Sequence, residues 1–146
     1  MKEMNSLNIA FFITPKNDVV FEKSTSTMRQ AIERMEFHRY SAIPIIDDNG
    51  RYVGTLTEGD LLWKLKNTAE LNFDSTSKVL ISDIPMRMIN KPVRISCDIE
   101  DLILTAVSQN FVPVLDDADK FIGIIKRSAI INYCYENMFK KLQKEA

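Results

Sequence analysis

The sequence predicts an α/β fold of the α+β type, in which a βαββα unit occurs twice. Three observations carry this prediction: an internal repeat, a hairpin pattern in each copy, and a helical pattern before each hairpin. A single unit of about 60 residues buries little surface on its own. The two copies are therefore expected to pack against each other as a pseudo-twofold pair.

The repeat is visible in two pairs of segments. Residues 42–48 recur 69 positions later as residues 111–117, and residues 52–56 recur at the same offset as residues 121–125. Each copy has an apolar run containing a proline, then a polar turn, then a second apolar run with an early glycine. Such a pattern is typical of a β-hairpin.

Helices and short strands flank each hairpin. Apolar residues at helical spacing precede both hairpins, and Thr27 with Gln30 predicts a capping box before the first. Further helices are predicted over residues 59–66 and about 128–141, and extended segments over residues 19–21 and 93–95. The first repeat is assigned to residues 8–66, a polar linker to 67–78 and the second repeat to 79–141. The residues at helical spacing are Met28, Ala31, Ile32 and Met35 in the first copy and Ile99, Leu102, Ile103, Ala106 and Val107 in the second.

Composition excludes several classes of function. Among 146 residues, 19 basic and 20 acidic side chains give a net charge of -1, so no strong field favours nucleic acid or an anionic membrane. The apolar run at residues 9–13 is too short for a signal peptide or a membrane span, and a cytoplasmic protein is expected. Cys97 and Cys134 are interpreted as reduced thiols, and a single histidine argues against a metal site. No catalytic motif is present, so neither an enzyme nor a cofactor is expected.

Two interpretations apply to the residues after the first hairpin. Gly54 permits close approach of a backbone or ligand, and Thr57 and Asp60 are predicted at a helix start, where free N–H groups suit an anionic phosphate. The Asp60 carboxylate could accept hydrogen bonds from two ribose hydroxyls. Alternatively, Thr57 caps the helix and Asp60 is a favourable acid in its first turn. Both roles can hold together.

The hairpins and the stretch Gly54-Thr55-Leu56-Thr57-Glu58-Gly59-Asp60 resemble the CBS-domain pair, also called a Bateman module. The likeness covers about residues 8–135, and residues 41–63 look like those of stand-alone CBS pairs of low-GC Gram-positive bacteria. It implies a regulatory homodimer that binds an adenine nucleotide such as AMP, ADP or ATP without catalysis. The nucleotide-binding residues implied by this resemblance are Lys16, Val19, Val20, Ser41, Ala42, Ile43, Pro44, Thr57, Asp60, Lys126 and Arg127.

The resemblance also implies that the adenine base lies between the segment before the first helix and the proline-containing strand. Pro44 lacks an N–H, so its strand cannot be a fully paired central strand. Ile43 and Ile45 are taken to alternate faces, so that one of them belongs to the core.

The second repeat departs from the nucleotide motif. Lys126 and Ala129 stand where the first repeat has Thr57 and Asp60, and Phe111 in place of Ala42 would crowd a base. One nucleotide per chain is therefore predicted. Lys126 and Arg127 either hold phosphates of a ligand anchored on Asp60 or are solvated surface cations.

Two other functions remain open at this point. The ligand could be cyclic di-AMP, because adenine, ribose and phosphate contacts are common to all these nucleotides. The chain could also be a structural or protein-interaction dimer that binds no nucleotide.

Overall fold

The computed structural model describes residues 7–145, with side chains described for residues 7–139 and for Leu142. The chain divides into two units of mixed α and β structure. We call residues 20–90 the first unit, and residues up to 19 together with those from 91 onwards the second unit. The predicted α+β fold with two small sheets is confirmed.

The first unit is a three-stranded sheet with two α-helices. Its strands lie in the order β2 (Glu22–Lys23), β3 (Ala42–Ile46) and β4 (Tyr52–Thr57), with β2 parallel to β3 and β3 antiparallel to β4. Short 3-10 helices follow at Asp74–Lys78 and Ile81–Asp83. The α-helices are α1 (Met28–His38) and α2 (Glu58–Asn67).

The second unit repeats this arrangement and adds a strand. Its strands lie in the order β1 (Thr14–Pro15), β7 (Phe121–Lys126), β6 (Phe111–Leu115) and β5 (Val93–Arg94). β1 pairs antiparallel with β7. Short 3-10 helices at Ile9–Phe12 and Lys16–Asp18 flank β1. The α-helices are α3 (Ile99–Ala106) and α4 (Arg127–Glu145).

The two hairpins match residue by residue. Gly54 pairs with Ile45 in the first unit and Gly123 pairs with Val114 in the second, and a register shift follows each pair. The repeated βαββα unit is therefore confirmed. The second copy is shorter in its helix, since α3 has 8 residues and α1 has 11.

Each proline lies where its strand has one neighbour. β2 pairs only with Ile45 and Ile46, so Pro44 precedes the parallel pairing although β3 is central in the sheet order. Pro113 is placed in the same way before the pairing of β5. The prolines therefore occupy positions at which no ladder bond to the parallel strand is lost.

The α1 helix starts as predicted. The Thr27 Oγ1 accepts the Gln30 N–H at 3.1 Å, and the Gln30 Oε1 accepts the Thr27 N–H at 2.8 Å, which completes a capping box. The helix ends at His38, and its C-cap residue Arg39 has a φ of 58°, which places a non-glycine residue in the left-handed region.

Each unit has its own hydrophobic core. Ile43 and Ile45 are both fully buried in the core of the first unit, so the expectation that they alternate faces is wrong. Residues two apart in a strand share a face. In the second unit Ile9, Val112 and Ile125 are fully buried. Val107, the C-cap residue of α3, is 71% exposed, so its predicted place on the buried face is also wrong.

The segment predicted as a linker packs onto α1. The Arg29 guanidinium lies 3.7 Å from the centre of the Phe73 ring, and Thr76 is buried. The Val79 carbonyl accepts the Met28 N–H at 2.7 Å. Residues 67–78 therefore belong to the first unit, whereas residues 8–19 pack with the second, so the compact units cross the ranges assigned to the two repeats.

The outer edge of each hairpin is covered. Thr55 donates its N–H to the Met88 carbonyl at 2.9 Å, and β1 covers β7 in the second unit. A Cβ on Gly54 would lie 3.1 Å from the end of the Met86 side chain. On Gly123 it would overlap the Thr14 carbonyl, so this glycine permits the close approach of β1. None of the helices in the described part of the chain is long and apolar enough to cross a membrane.

Candidate functional site

The start of α2 is a complete capping box. Thr57 is the N-cap residue, and its Oγ1 accepts the Asp60 N–H at 3.2 Å. The Asp60 Oδ2 accepts the Thr57 N–H at 3.0 Å in return. The capping interpretation of this pair is therefore present in the structure.

The Asp60 carboxylate is buried and keeps accepting capacity. Asp60 is only 4% exposed. Its Oδ1 accepts the Arg87 N–H in a long hydrogen bond of 3.4 Å. An ionised carboxylate offers about four lone-pair sites, and these two bonds occupy half of them. Asp60 can therefore cap α2 and accept further hydrogen bonds at the same time.

Four predicted residues come together around this helix start. Ala42 pairs with Thr57 across β3 and β4, and the Ser41 carbonyl accepts the Glu58 N–H at 3.0 Å. Ser41 is exposed, Ala42 and Thr57 are half-buried, and Asp60 is buried. The group offers main-chain groups, a hydroxyl and a carboxylate at one helix N-terminus, where a negative ligand is favoured.

The other predicted residues of the first unit lie deeper. Val20 is half-buried against the core, and Pro44 is buried in β3. Ile43 belongs to the core itself, so its side chain is enclosed by apolar neighbours. Any contact that Ile43 makes with a ligand would therefore come from its main chain.

Lys16 and Val19 belong to the second unit. Lys16 opens the 3-10 helix that follows β1, and its carbonyl accepts the Val19 N–H at 3.1 Å. Both residues are half-buried. This turn holds the main chain of the two residues in a fixed relation.

Lys126 and Arg127 also belong to the second unit, at the junction of β7 and α4. Arg127 donates its N–H to the Asn110 carbonyl at 3.0 Å and a guanidinium N–H to the Asn110 Oδ1 at 2.8 Å. Lys126 is exposed. Because Lys126 and Ala129 carry no side-chain acceptor, they cannot build the capping box that Thr57 and Asp60 form.

Two residues that bond near the candidate site or its counterpart in the second repeat were not among the nucleotide-binding residues expected from the sequence. Arg87 contacts the Asp60 carboxylate through its backbone N–H, and a backbone contact leaves no signal in residue type. Gln109 bonds to the main chain of Lys91 through both ends of its carboxamide. Its place just before the proline-containing strand of the second repeat is the one signal that could have identified it.

The thiols and the acidic residues complete the chemical inventory. Cys97 and Cys134 carry free thiols, and burial, with smaller contributions from Asp101 and Asp98, raises the pKa of Cys97. A raised pKa disfavours the nucleophilic thiolate. Within the described residues, no cluster of three or more histidine, cysteine or acidic side chains could hold a metal ion.

Comparisons with known proteins identify relatives of the chain. It is 26% identical over 144 residues to the chloroplastic CBS domain-containing protein CBSX1 of Arabidopsis thaliana, covering 82% of this chain and 61% of that protein. The chain thus spans about three-fifths of the length of this relative.

Two solved structures share the fold. The structure of CbpB in complex with c-di-AMP superposes with a TM-score of 0.85 at 18% identity, covering 99% of this chain and 95% of that one. The structure of CBSX2 in complex with AMP gives a TM-score of 0.67 at 25% identity, with coverages of 90% and 98%.

The model of the CBS domain matches the chain twice, at residues 12–67 and at residues 81–136. These two matches cover most of the sequence and coincide with the two repeated hairpins and their helices. The chain belongs to the CBS-domain family and carries two CBS domains.

Proposed function

We propose that this CBS pair is a regulatory module that binds an adenine nucleotide of the AMP, ADP or ATP type and catalyses no reaction. The observation that carries the proposal is the buried Asp60 carboxylate at the start of α2, which retains accepting sites beside a helix N-terminus. Support comes from CBSX2, a relative whose structure holds AMP.

Each part of the nucleotide has a chemical partner in the proposal. The ribose hydroxyls donate to the Asp60 carboxylate. The phosphate lies near the start of α2, where the helix dipole favours an anion, although the expected free N–H groups are partly taken because Glu58 and Asp60 donate theirs to Ser41 and Thr57. Val20, Ala42 and Pro44 border the adenine. Lys16, Val19, Lys126 and Arg127 lie in the second unit, and their part in binding stays a prediction.

A thermal-shift panel with AMP, ADP, ATP, cyclic di-AMP and S-adenosylmethionine tests the proposal. A ligand at 100 times its Kd raises the free energy of unfolding by about 2.7 kcal/mol, which is readily detected. We expect at least one adenine mononucleotide to stabilise the protein and S-adenosylmethionine to have a smaller effect. No stabilisation by any adenine compound would favour the structural dimer that binds no nucleotide.

Cyclic di-AMP is the second candidate ligand, because CbpB, whose fold this chain shares along almost its whole length, was solved with c-di-AMP. AMP and cyclic di-AMP both present adenine and ribose, so the thermal-shift panel compares how strongly each of them stabilises the protein. A cyclic dinucleotide that binds far more tightly than AMP would assign the module to cyclic di-AMP signalling.

Stoichiometry provides a further test. We expect one mononucleotide per chain, because Ala129 supplies no carboxylate where Asp60 stands in the other repeat. Calorimetry that returns two equal sites per chain would contradict this expectation. A homodimer, a cytoplasmic location and a protein target remain predictions, and the first is checked by light scattering.

A further inference from the structure

The Gln109 side chain bridges two strand-end segments of the second unit. Its Oε1 accepts the Lys91 N–H at 2.7 Å, and its Nε2 donates to the Lys91 carbonyl at 3.0 Å. The same Nε2 donates to the Phe111 carbonyl at 3.2 Å. We call the Lys91 N–H and carbonyl together with the Phe111 carbonyl the base edge of the second unit. All three of its groups are bonded to one carboxamide.

The first unit has the same main-chain frame without the bridge. Val20 lies two residues before β2 as Lys91 lies two residues before β5, and Ala42 opens β3 as Phe111 opens β6. Tyr40 stands where the repeat has Gln109, and its ring stacks on His38 with centroids 5.7 Å apart. Among the described residues of this unit, no side chain hydrogen-bonds to the main chain of both Val20 and Ala42.

The carboxamide has the hydrogen-bonding pattern of an adenine edge. Gln109 presents an acceptor beside an amino group with two donors. Adenine presents the N6 amino group, also with two donors, beside the N7 acceptor. A hypoxanthine base carries an oxygen in place of that amino group and could not donate to two carbonyls from one nitrogen.

We propose that Gln109 is an internal substitute for a nucleobase, which occupies the base edge of the second unit and keeps amino-bearing bases out of it. This inference rests on the proposed function, because it takes the equivalent frame of the first unit as the place of the adenine. It provides a reason for a single site that is independent of Ala129: the donor and the acceptors are already bonded within the chain. Removal of the carboxamide takes away its bonds to these three groups and vacates its volume, so an adenine edge can reach them even though the Phe111 side chain narrows the space for the base.

The test follows backbone amide signals by two-dimensional NMR of the full chain during titration with AMP or IMP into the millimolar range. Wild type is compared with Gln109→Ala and with the control Ser108→Ala, which changes the preceding exposed residue. The Lys91 amide reports on the second unit, and the Asp60 and Arg87 amides report on the first. Hydrogen exchange of the Lys91 amide is measured without ligand in all three proteins.

We expect the Lys91 amide of Gln109→Ala to exchange about tenfold faster than in wild type, because one hydrogen bond is lost. We also expect AMP, and not IMP, to shift this signal in Gln109→Ala while wild type and Ser108→Ala stay unchanged.

Other outcomes separate the two proposals. A Lys91 signal that ignores AMP in Gln109→Ala while the Asp60 and Arg87 signals respond overturns the inference and leaves the proposed function intact. Unchanged exchange in Gln109→Ala, or a wild-type Lys91 signal that responds to AMP as strongly as the variant's, also overturns it. Silence of the Asp60 and Arg87 signals in every protein instead refutes the proposed function, and a Lys91 response confined to Gln109→Ala would then still support the inference.

Discussion

Asp60→Asn separates the two roles that the structure gives to this carboxylate. The amide oxygen can still accept the Thr57 N–H, and the backbone N–H of residue 60 still donates to the Thr57 Oγ1, so both halves of the capping box survive. The amide nitrogen then faces the Arg87 N–H, a donor against a donor, and the bond at 3.4 Å is lost. From sequence alone the ligand-free melting temperature is expected to stay constant, and the Arg87 contact changes that expectation.

The loss of stability can be worked out from these contacts. A hydrogen bond to a charged group contributes about 1.5–3 kcal/mol, and the long distance puts this one at the lower end. The first-turn charge contributes about 0.3–1 kcal/mol more. We therefore expect the free energy of unfolding to fall by about 2 kcal/mol and the melting temperature by about 4–8 °C for a chain of this size.

The loss of affinity is measured separately by calorimetry with AMP. Two ribose hydroxyls lose a charged acceptor and keep a neutral one, so affinity should fall by about 10- to 100-fold. The 2′-deoxy nucleotide should lose affinity for wild type and much less for Asp60→Asn, which completes a double-mutant cycle.

Gln30→Ala is the matched control, because Gln30 occupies the same N3 position in the capping box of α1. It should lower stability by about 1 kcal/mol and leave AMP affinity unchanged. If Asp60→Asn lowers the melting temperature but binds AMP as wild type does, Asp60 is only a helix-start residue.

Four further substitutions test the fold itself through urea unfolding. Gly123→Ala should lower the free energy of unfolding by about 1–3 kcal/mol, because the new Cβ would overlap the main chain of Thr14. Gly54→Ala should lower it by less than about 1 kcal/mol, because its Cβ meets only the flexible end of the Met86 side chain. Equal losses in the two variants would contradict this difference. Arg39→Gly should raise stability by about 0.5–1 kcal/mol by relieving the left-handed conformation, and a decrease would show that the side chain matters more. Tyr52→Phe should cost about 1–3 kcal/mol because the hydroxyl accepts the Asn90 N–H at 2.8 Å. Burial raises the pKa of Tyr52 because it disfavours the charged phenolate, and the hydrogen bonds with Thr55 and Asn90 only partly offset this. The stability that comes from keeping this hydroxyl neutral is therefore present below about pH 10 and is lost as pH rises through the folded-state pKa, and wild type should lose more stability there than Tyr52→Phe does.

Much of the architecture follows from local patterns. Helical spacing and the capping box placed α1, and the prolines and glycines placed both hairpins, because these signals depend on residues close together in the chain. The pairing of β1 with β7 was missed because Thr14 and Pro15 are too few to form a pattern and their partner lies more than a hundred residues away.

The candidate site shows the same division. Thr57 and Asp60 were predicted because a hydroxyl and an acid three residues apart are typical of a helix start, and the structure has both in the capping box. The Arg87 contact could not be predicted, since any non-proline residue has a backbone N–H to offer. The expectation that Ile43 and Ile45 face opposite sides was an error of periodicity, because residues two apart in a strand share a face and both are buried.

The pairing of β1 with β7 bears on the order in which the protein is made. The first unit is a continuous stretch of chain, and all of its residues have left the ribosome once residue 90 has emerged. The second unit needs its opening strand and a partner that is synthesised more than a hundred residues later. We therefore expect residues 14–15 to lack their strand partner through most of translation, and residues 20–90 to fold before the second unit is complete.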